Sequence, residues 1–348
     1  MLATQFGALK SVIMQVYGID LSMEKFDVSF VDSKGKEMIK SVRNGVNTIS
    51  EFLSSLPKEC VLCAEHTGAY GDLLVFLCNQ LNIPIALVPG YSVKHSLGLQ
   101  KGKSDPLDCK RIRDYGSRFY DKLKFTRYDE EYISELKQLY VLRAQLVKTR
   151  TTFATSEKGR KHLPMQSISA NAHAQKIIAT LDSEIQEVEL EMEALIRANQ
   201  ELKENFELVT SIKGVGPIIA TDLIIKTGNF KNIDTARKAA SYAGVCPFPN
   251  ASGKMVAKSR TSPFADRKLK SLLYMGAKSA VKHNKEYRLY YQRKELEGKP
   301  HFLIMNNVSN KMLRTIYSVV KNKMPYNKDH ICLDPREKIS NKPSKKVA

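Results

Sequence analysis

Two strand-like runs lie near the N-terminus, Val16-Tyr17-Gly18-Ile19-Asp20-Leu21 and Phe26-Asp27-Val28-Ser29-Phe30-Val31. The second run alternates apolar and polar residues at the period of a β-strand. Ser33-Lys34-Gly35 has turn chemistry, so Glu37 to Val42 can return as a third strand. These segments predict a three-stranded meander.

Further strands and helices alternate after the meander. We predict a helix, a buried strand, a second helix and a last strand at Val46–Leu56, Cys60–Glu65, Asp72–Leu81 and Ile83–Val88, with another helix beyond. Three strands, then helix, strand, helix, strand and helix, is the order of a ribonuclease H-like sheet. The predicted domain covers residues 14–125. Many α/β domains share such alternation, so the order alone is not specific.

Residues 128–207 read as helical. One predicted helix runs from Tyr132 to about Phe153. A second carries apolar residues at alternating steps of three and four, with Asn199 as a polar position that can fix register: Ile178, Leu181, Ile185, Val188, Met192, Leu195, Asn199 and Leu202. An intramolecular helical hairpin and a dimerising arm both fit this pattern.

Residues 208–327 form a mostly helical, basic block, and 328–348 a basic tail predicted to be disordered. The stretch from Gly253 to Glu295 holds twelve Lys/Arg against three acids. Tyrosines interleave with these cations at Tyr274, Tyr287, Tyr290 and Tyr291. Cations together with rings that can stack are typical of a nucleic-acid surface.

The overall charge agrees with that interpretation. The chain of 348 residues has 55 Lys+Arg and 36 Asp+Glu, a net charge of +19. Such a surplus indicates a polyanionic partner, most commonly nucleic acid. No long apolar span or secretory signal is apparent, so we expect a cytoplasmic protein with no membrane partner. Six cysteines in a chain of this length do not form a disulfide framework.

Four carboxylates are candidate catalytic and metal-binding residues. Asp20 lies on the first strand, Glu65 ends a later strand, and Asp105 and Asp108 share one face of a helix start. In a ribonuclease H-like sheet these acids meet, and two Mg²⁺ ions would relieve their repulsion and clamp a phosphodiester. Asp105-Pro106-Leu107-Asp108 is equally a good capping sequence. Alternation along the second strand places Asp27 toward solvent.

A glycine turn follows in Ile212-Lys213-Gly214-Val215-Gly216-Pro217. It matches a helix-hairpin-helix element, whose backbone N–H groups approach a DNA phosphate, although an ordinary helical corner also needs such glycines. The candidate nucleic-acid-binding residues are Lys213, Gly214, Gly216, Lys254, Lys258, Arg260, Arg267, Lys268 and Lys270.

Ser252 lies in a loop-like stretch that runs from Gly244 to Lys254. A serine there usually serves the turn, but the dense positive charge that follows can stabilise an attacked phosphate. Ser259 and Ser262 are rival nucleophiles. Cys60 and Cys63 have no partner pair at zinc spacing, which favours two buried strand residues.

Together these motifs resemble the IS110 family of insertion-sequence transposases. The resemblance rests on Tyr-Gly-Ile-Asp20, Glu65-His-Thr-Gly-Ala-Tyr, Lys103-Ser-Asp105-Pro-Leu-Asp108, Ile-Lys-Gly-Val-Gly-Pro and Ala-Gly-Val-Cys-Pro through Ala-Ser252-Gly. It continues through His283-Asn284-Lys285-Glu286-Tyr287-Arg288 to Lys311-Met312-Leu313-Arg314 and so spans almost the whole chain.

The resemblance implies a RuvC-like DEDD domain, a coiled-coil segment and a C-terminal transposase domain. It implies that Asp20, Glu65, Asp105 and Asp108 bind Mg²⁺, with Mn²⁺ as a substitute, and that Ser252 forms a covalent phosphoserine link to DNA. It also implies donor and target double-stranded DNA, a structured non-coding bridge RNA and a dimer or tetramer as partners.

Three alternatives remain open from the sequence. One is a site-specific DNA invertase of the same family. Another is a RuvC-like nuclease that uses water, in which Ser252 is only a turn residue. The third is a non-catalytic nucleic-acid-binding protein, in which the acids only cap helices and solubilise the chain.

Overall fold

The computed structural model describes residues 15–96, 98, 105–128, 130–252 and 255–327. The chain forms two compact units, one up to residue 129 and one from residue 130 onward. The described part of the first unit has five strands and four α-helices. In chain order these are β1 (Gln15–Leu21), β2 (Lys25–Val31), β3 (Glu37–Arg43), α1 (Val46–Ser54), β4 (Cys60–Glu65), α2 (Asp72–Gln80), β5 (Ile85–Val88), α3 (Gly90–Ser96) and α4 (Asp105–Arg118).

These strands form one mixed sheet in the order β3-β2-β1-β4-β5. The first three are an antiparallel meander, and β4 and β5 run parallel to β1. The turn between β2 and β3 is closed by Asp32, whose carboxylate accepts the N–H groups of Lys34 and Lys36. Gly35 adopts a φ of +79° in that turn, which favours glycine. The predicted meander and strand–helix order are confirmed.

Helices cover both faces of the sheet around β4. Leu62 packs into a cluster with residues of α1 and α2, including Ile49 and Leu74. Its neighbour Cys63 packs on the other face with Val93 of α3 and Ile112 of α4. Successive residues of a strand point to opposite faces, so β4 needs apolar side chains at nearly every position. Cys60 and Cys63 are therefore buried free thiols, as the sequence predicted.

The second unit starts with two long helices, α5 (Glu131–Arg160) and α6 (Ile168–Ala198). They pack against each other as a helical hairpin, and two ion pairs cross it. Arg143 contacts Glu189 at 2.6 Å, and Arg150 contacts Asp182 at 2.8 Å. The intramolecular helical hairpin, one of the two interpretations left open by the heptad pattern, is therefore present in the fold, and the dimerising arm stays a prediction.

The predicted role of Asn199 is wrong. Asn199 has an extended backbone between α6 and the next helix, α7 (Gln200–Thr210), and its side chain accepts the Leu202 N–H. The seam thus breaks at Asn199 instead of running through it to Leu202. An asparagine satisfies the free N–H groups of a helix start better than it packs into an apolar seam.

The remaining elements complete a mostly helical block. They are α8 (Pro217–Thr227), α9 (Ala236–Tyr242), β6 (Phe248–Ser252), β7 (Met255–Arg260), α10 (Arg267–His283), α11 (Lys285–Leu296) and α12 (His301–Asn322). One hydrophobic core joins α8, α10 and α12 to the base of the helical hairpin, through residues such as Leu136, Val188, Leu223, Leu273 and Met312. The β-hairpin of β6 and β7 was not predicted. The predicted disordered tail, 328–348, lies outside the described residues.

Candidate active site

Asp20 and Glu65 occupy the carboxyl ends of two neighbouring parallel strands. Ile19 of β1 pairs with Ala64 of β4, so the next residue on each strand lies at the same edge of the sheet. Both acidic residues are half-buried. The prediction that these two strands lie side by side is confirmed.

The Glu65 carboxylate packs against the start of α3. A methyl group on Gly90 would lie 2.1 Å from Glu65 Oε1, so a larger residue there would displace the carboxylate from its present position. The short strand β5 positions this contact, because Glu65 pairs with Val88 immediately before the helix begins. The contact with Gly90 therefore restricts where the Glu65 carboxylate can lie at the sheet edge.

Asp27 is a fifth acid at this site, and its predicted exposure is wrong. It lies directly opposite Asp20 in the antiparallel pair of β1 and β2, so both side chains project from the same face. Asp27 is buried, accepts a hydrogen bond from Ser41 Oγ and lies 3.5 Å from Lys25 Nζ. Strand alternation did not reveal this, because α4 covers the face that we expected to meet solvent.

Helix α4 brings its first two turns to the same edge. Its residue Cys109 is buried, and burial followed by the charges of Asp27 and Asp20 raises the pKa of its thiol to about 11. One residue earlier, the Asp108 carboxylate contacts Arg111 at 2.8 Å. Asp105 is the first residue of the helix, and its side chain lies outside the described residues.

The donor set suits a hard divalent cation, since it consists of carboxylates at the end of a sheet. Asp20, Glu65 and Asp108 are the described members of the predicted quartet. Within the described side chains, which exclude that of Asp105, no group of three or more His, Cys, Asp or Glu is arranged to hold a metal ion. Metal binding by the quartet therefore stays a prediction.

Ser252 lies at the tip of the β-hairpin rather than in a loop. It is the last residue of β6, it pairs with Met255 of β7, and its side chain is exposed. The two residues between them, Gly253 and Lys254, lie outside the described residues. An exposed hydroxyl at a hairpin tip is accessible to a large substrate such as DNA.

The two rival serines differ from Ser252 in position. Ser259 is exposed near the end of β7. Ser262 is half-buried after the strand, and its Oγ accepts the N–H of Phe264 at 3.2 Å. That hydrogen bond gives Ser262 a turn role, which leaves Ser252 and Ser259 as the exposed candidates.

Comparison with known proteins gives two family matches. Residues 17–165 match a DEDD transposase model of the IS110 type, and residues 206–292 match the transposase IS116/IS110/IS902 family. The pilin gene-inverting protein of Moraxella lacunata is 25% identical over 89% of this chain and 97% of that protein. The transposase for insertion sequence element IS1111A of Coxiella burnetii is 23% identical over 78% of this chain and 79% of its own length. The chain belongs to the IS110 family of transposases.

The two matches fall on the two parts of the molecule that hold the candidate residues. The first covers the sheet, α4 and α5, and the second runs from the end of α7 into α11. As a member of this family the protein is a DNA transposase or recombinase. None of the helices within the described ranges is long and apolar enough to cross a membrane.

Several predicted nucleic-acid-binding residues of the transposase are exposed. Lys213 and Gly216 lie in the turn before α8, Arg260 ends β7, and Arg267 begins α10. Lys268 is also exposed, and its ammonium lies 4.0 Å from the centroid of the Tyr140 ring, whereas Lys270 is half-buried. The placement of Lys254 and of the Lys258 side chain is not described.

Gly214 has a structural reason to be glycine. Its φ is +105°, and a methyl group on it would lie 2.7 Å from Ala280 Cβ and 2.8 Å from the Gly276 carbonyl oxygen. The turn between α7 and α8 is thus pressed onto α10. Around Gly216, by contrast, a methyl group would meet nothing within 4 Å, so this glycine borders open space.

One of the four tyrosines predicted to stack on nucleic acid is not on the surface. Tyr287 is fully buried and donates its hydroxyl to Thr315 at 3.1 Å, so it belongs to the core of the transposase. Tyr274 and Tyr291 are half-buried, and both hydroxyls lie within hydrogen-bond distance of the His301 ring. Sequence spacing did not distinguish the buried tyrosine from the partly exposed ones, because α11 packs against both α10 and α12.

A chain of charged residues that reaches Asp266, just after the β-hairpin, was not predicted from the sequence. Asp222 is fully buried on α8, Lys226 contacts it at 2.9 Å, and Lys226 also contacts Asp266 at 2.8 Å. The available signal was a pair of opposite charges four residues apart in the otherwise apolar run Pro217–Thr227. Such a pair inside an apolar helix indicates a buried ion pair.

Proposed function

We propose that the protein is a Mg²⁺-dependent DNA strand-exchange enzyme in which Ser252 is the nucleophile. The observation that carries this proposal is the placement of Asp20 and Glu65 at adjacent strand ends beneath the start of α4, within a transposase family. The exposed position of Ser252 at the β-hairpin tip supports its role in attack.

The strand order supports a ribonuclease H-like, RuvC-like fold for the first unit. An antiparallel meander continues into two parallel strands, and α4 packs across β1 and β2. In such a sheet Asp20, Glu65, Asp105 and Asp108 would hold two Mg²⁺ ions, or Mn²⁺ in their place. When bound, the ions would neutralise phosphate charge and position the phosphodiester.

The protein supplies the remaining chemistry through its own residues. The Ser252 oxygen loses its proton and attacks phosphorus, one P–O bond of the DNA breaks, and the departing oxygen takes up a proton. A DNA hydroxyl then attacks the phosphoserine bond, joins the new strand and returns the serine hydroxyl. Cations that closely follow Ser252 in the sequence, such as Lys254, would stabilise the charge that develops on phosphate.

The proposed partners follow from charge and from the family resemblance. Exposed cations at Lys213, Arg260 and Arg267 would hold phosphates of donor and target DNA. A structured non-coding bridge RNA and a dimer or tetramer are part of the proposal on the resemblance alone.

The decisive experiment is recombination of donor and target DNA with Mg²⁺ and the flanking RNA, followed by denaturing gels with and without protease. We expect wild type and Ser259→Ala to form a protease-sensitive protein–DNA adduct. Ser252→Ala should lose the adduct, and Asp20→Ala should lose all metal-dependent turnover while salt-dependent DNA binding remains.

Other results would replace this mechanism. Metal-dependent cleavage that survives Ser252→Ala without an adduct would indicate a nuclease that uses water. An adduct lost in Ser259→Ala alone would move the nucleophile along the β-hairpin. DNA binding without turnover in wild type would indicate a non-catalytic binding protein.

A site-specific invertase is a second candidate. Two pilin gene-inverting proteins, from Moraxella lacunata and Moraxella bovis, each align with 89% of the chain. A plasmid that carries a segment between inverted sites separates the two functions. Inversion of the segment without excision or insertion would favour the invertase.

A further inference from the structure

The segment that carries Ser252 begins and ends at one point of the second unit. The N–H of Asp266 donates to the carbonyl oxygen of Tyr242 at 2.8 Å, and the Tyr242 hydroxyl donates to Asp266 Oδ2 at 3.3 Å. Just beyond this point the two limbs touch, since a methyl group on Gly244 would lie 2.4 Å from Ala265 Cβ. The segment 243–265 is therefore closed at its base.

Asp266 connects this base to two rigid elements. Its Oδ1 accepts the Leu269 N–H at 2.8 Å and so caps α10, whose residues Leu269 and Leu273 are buried. Its Oδ2 lies 2.8 Å from Lys226 Nζ of α8. Burial raises the pKa of Asp266, but these two partners outweigh it and hold the pKa below its usual value. The carboxylate is therefore charged in the folded protein.

Behind this contact lies a fully buried charge. Asp222 Oδ2 is 2.9 Å from Lys226 Nζ, and the Asp222 side chain has no solvent exposure. A buried carboxylate without a cation costs several kcal/mol, so Asp222 holds the lysine in place. Tyr140 lies beside Asp222, and its pKa is raised by burial and by that negative charge. The position of Lys226 is thus determined by the core.

We propose that Tyr242 and Asp266, backed by Lys226 and Asp222, are positioning residues that hold the β-hairpin for attack by Ser252. We name the four residues the hairpin clamp. The inference rests on the proposed role of Ser252. An exposed two-stranded β-hairpin is only marginally stable by itself, so its orientation depends on how its base is held.

Two variants each remove side-chain contacts of the clamp and leave the backbone hydrogen bond between Asp266 and Tyr242 in place. Tyr242→Phe removes the hydroxyl and keeps the ring. Asp266→Ser removes the contacts to Lys226 and Tyr242 but keeps a side chain that caps α10, and it leaves Asp222 paired with Lys226. The matched control is Lys238→Gln, which breaks an exposed ion pair between Lys238 of α9, the helix that ends at Tyr242, and Asp234 just before that helix.

Amide hydrogen exchange on the full-length protein without DNA tests the clamp independently of activity. We expect peptides that cover 248–260 to exchange several-fold faster in both clamp variants, while peptides of α12 exchange as in wild type. In single-turnover assays the rate of adduct formation should fall about tenfold, the factor that one charge-assisted hydrogen bond supplies, with unchanged DNA affinity. Lys238→Gln should match wild type in each measurement.

The outcomes separate this inference from the proposed function. Unchanged exchange of 248–260 in both variants would overturn the clamp, whatever the activity. Faster exchange with an unchanged adduct rate would overturn its role in positioning Ser252. If the variants exchange faster but the wild-type protein forms no adduct, the clamp holds the β-hairpin and the serine mechanism is refuted.

Discussion

Gly18 of β1 lies directly against the backbone of Arg113 in α4. A methyl group on Gly18 would stand 2.2 Å from the Arg113 amide nitrogen and 2.2 Å from the Cys109 carbonyl oxygen. A second close contact involves a glycine on the helix instead of the strand. Gly116 of α4 packs on the side chains of Val16 and Cys63 in the sheet. This close crossing brings the first turns of α4 to the sheet edge where Asp20 and Glu65 end their strands.

Gly18→Ala should therefore separate α4 from the sheet. We expect a loss of at least about 3 kcal/mol in the free energy of unfolding, because the new methyl group overlaps backbone atoms that cannot rotate away. Metal-dependent turnover should fall with it. Urea unfolding measures the loss, with Gly159→Ala as the control. Gly159 lies in α5 with nothing near it, so that variant should be neutral or gain up to about 1 kcal/mol.

Mg²⁺ should stabilise the protein through the acidic site. An ion that binds only the folded state raises the melting temperature, by an amount that grows with its concentration. We expect a rise of a few degrees in wild type at about a hundred times the dissociation constant, and little or none in Asp20→Asn. Glu51→Gln, an exposed change on α1, should keep the full rise. An equal rise in Asp20→Asn would place the ion elsewhere.

The glycine turn before α8 separates packing from DNA binding. Gly214→Ala should cost at least about 2 kcal/mol of stability, since it combines a left-handed backbone with overlap onto α10. Lys213→Gln should leave stability unchanged and weaken DNA binding, lowering the salt dependence of affinity by about one phosphate contact. Thermal unfolding and a salt titration of DNA binding measure the two effects. A Lys213→Gln variant with wild-type salt dependence would remove this turn from the interface.

Acid should weaken the hairpin clamp through Asp266. Its pKa in the folded protein lies below the usual 3.8, so the folded state binds this proton less tightly than the unfolded chain does. The stabilisation is fully present above about pH 4 and is lost as the pH falls through the folded pKa. Asp266→Asn should therefore lose less stability than wild type between about pH 5 and pH 3. Chemical unfolding across that range measures the slopes of wild type and Asp266→Asn.

Local sequence patterns predicted the secondary structure correctly where a residue type occurs mainly in one kind of element. Alternation and turn chemistry predicted the meander, and the unbroken apolar run at Cys60–Glu65 predicted a buried strand. The heptad pattern predicted two packed helices, but it ran through Asn199 because spacing does not show where a side chain caps a helix instead of packing. The β-hairpin was missed because Pro, Asn, Ser and Gly between 247 and 253 are typical of a loop.

The amino-acid sequence was enough to predict the element order of the first unit, to recognise the family and to name the candidate acids and serine. Each of these depends on residue type and spacing along the chain. Packing between elements was needed to show that Asp27 is buried opposite Asp20, that Tyr287 belongs to the core, and that Asp222 and Lys226 form a buried ion pair that reaches Asp266. These facts depend on which surfaces other elements cover. Burial sets the free energy of a charge, and burial is a property of the packed molecule rather than of a local pattern.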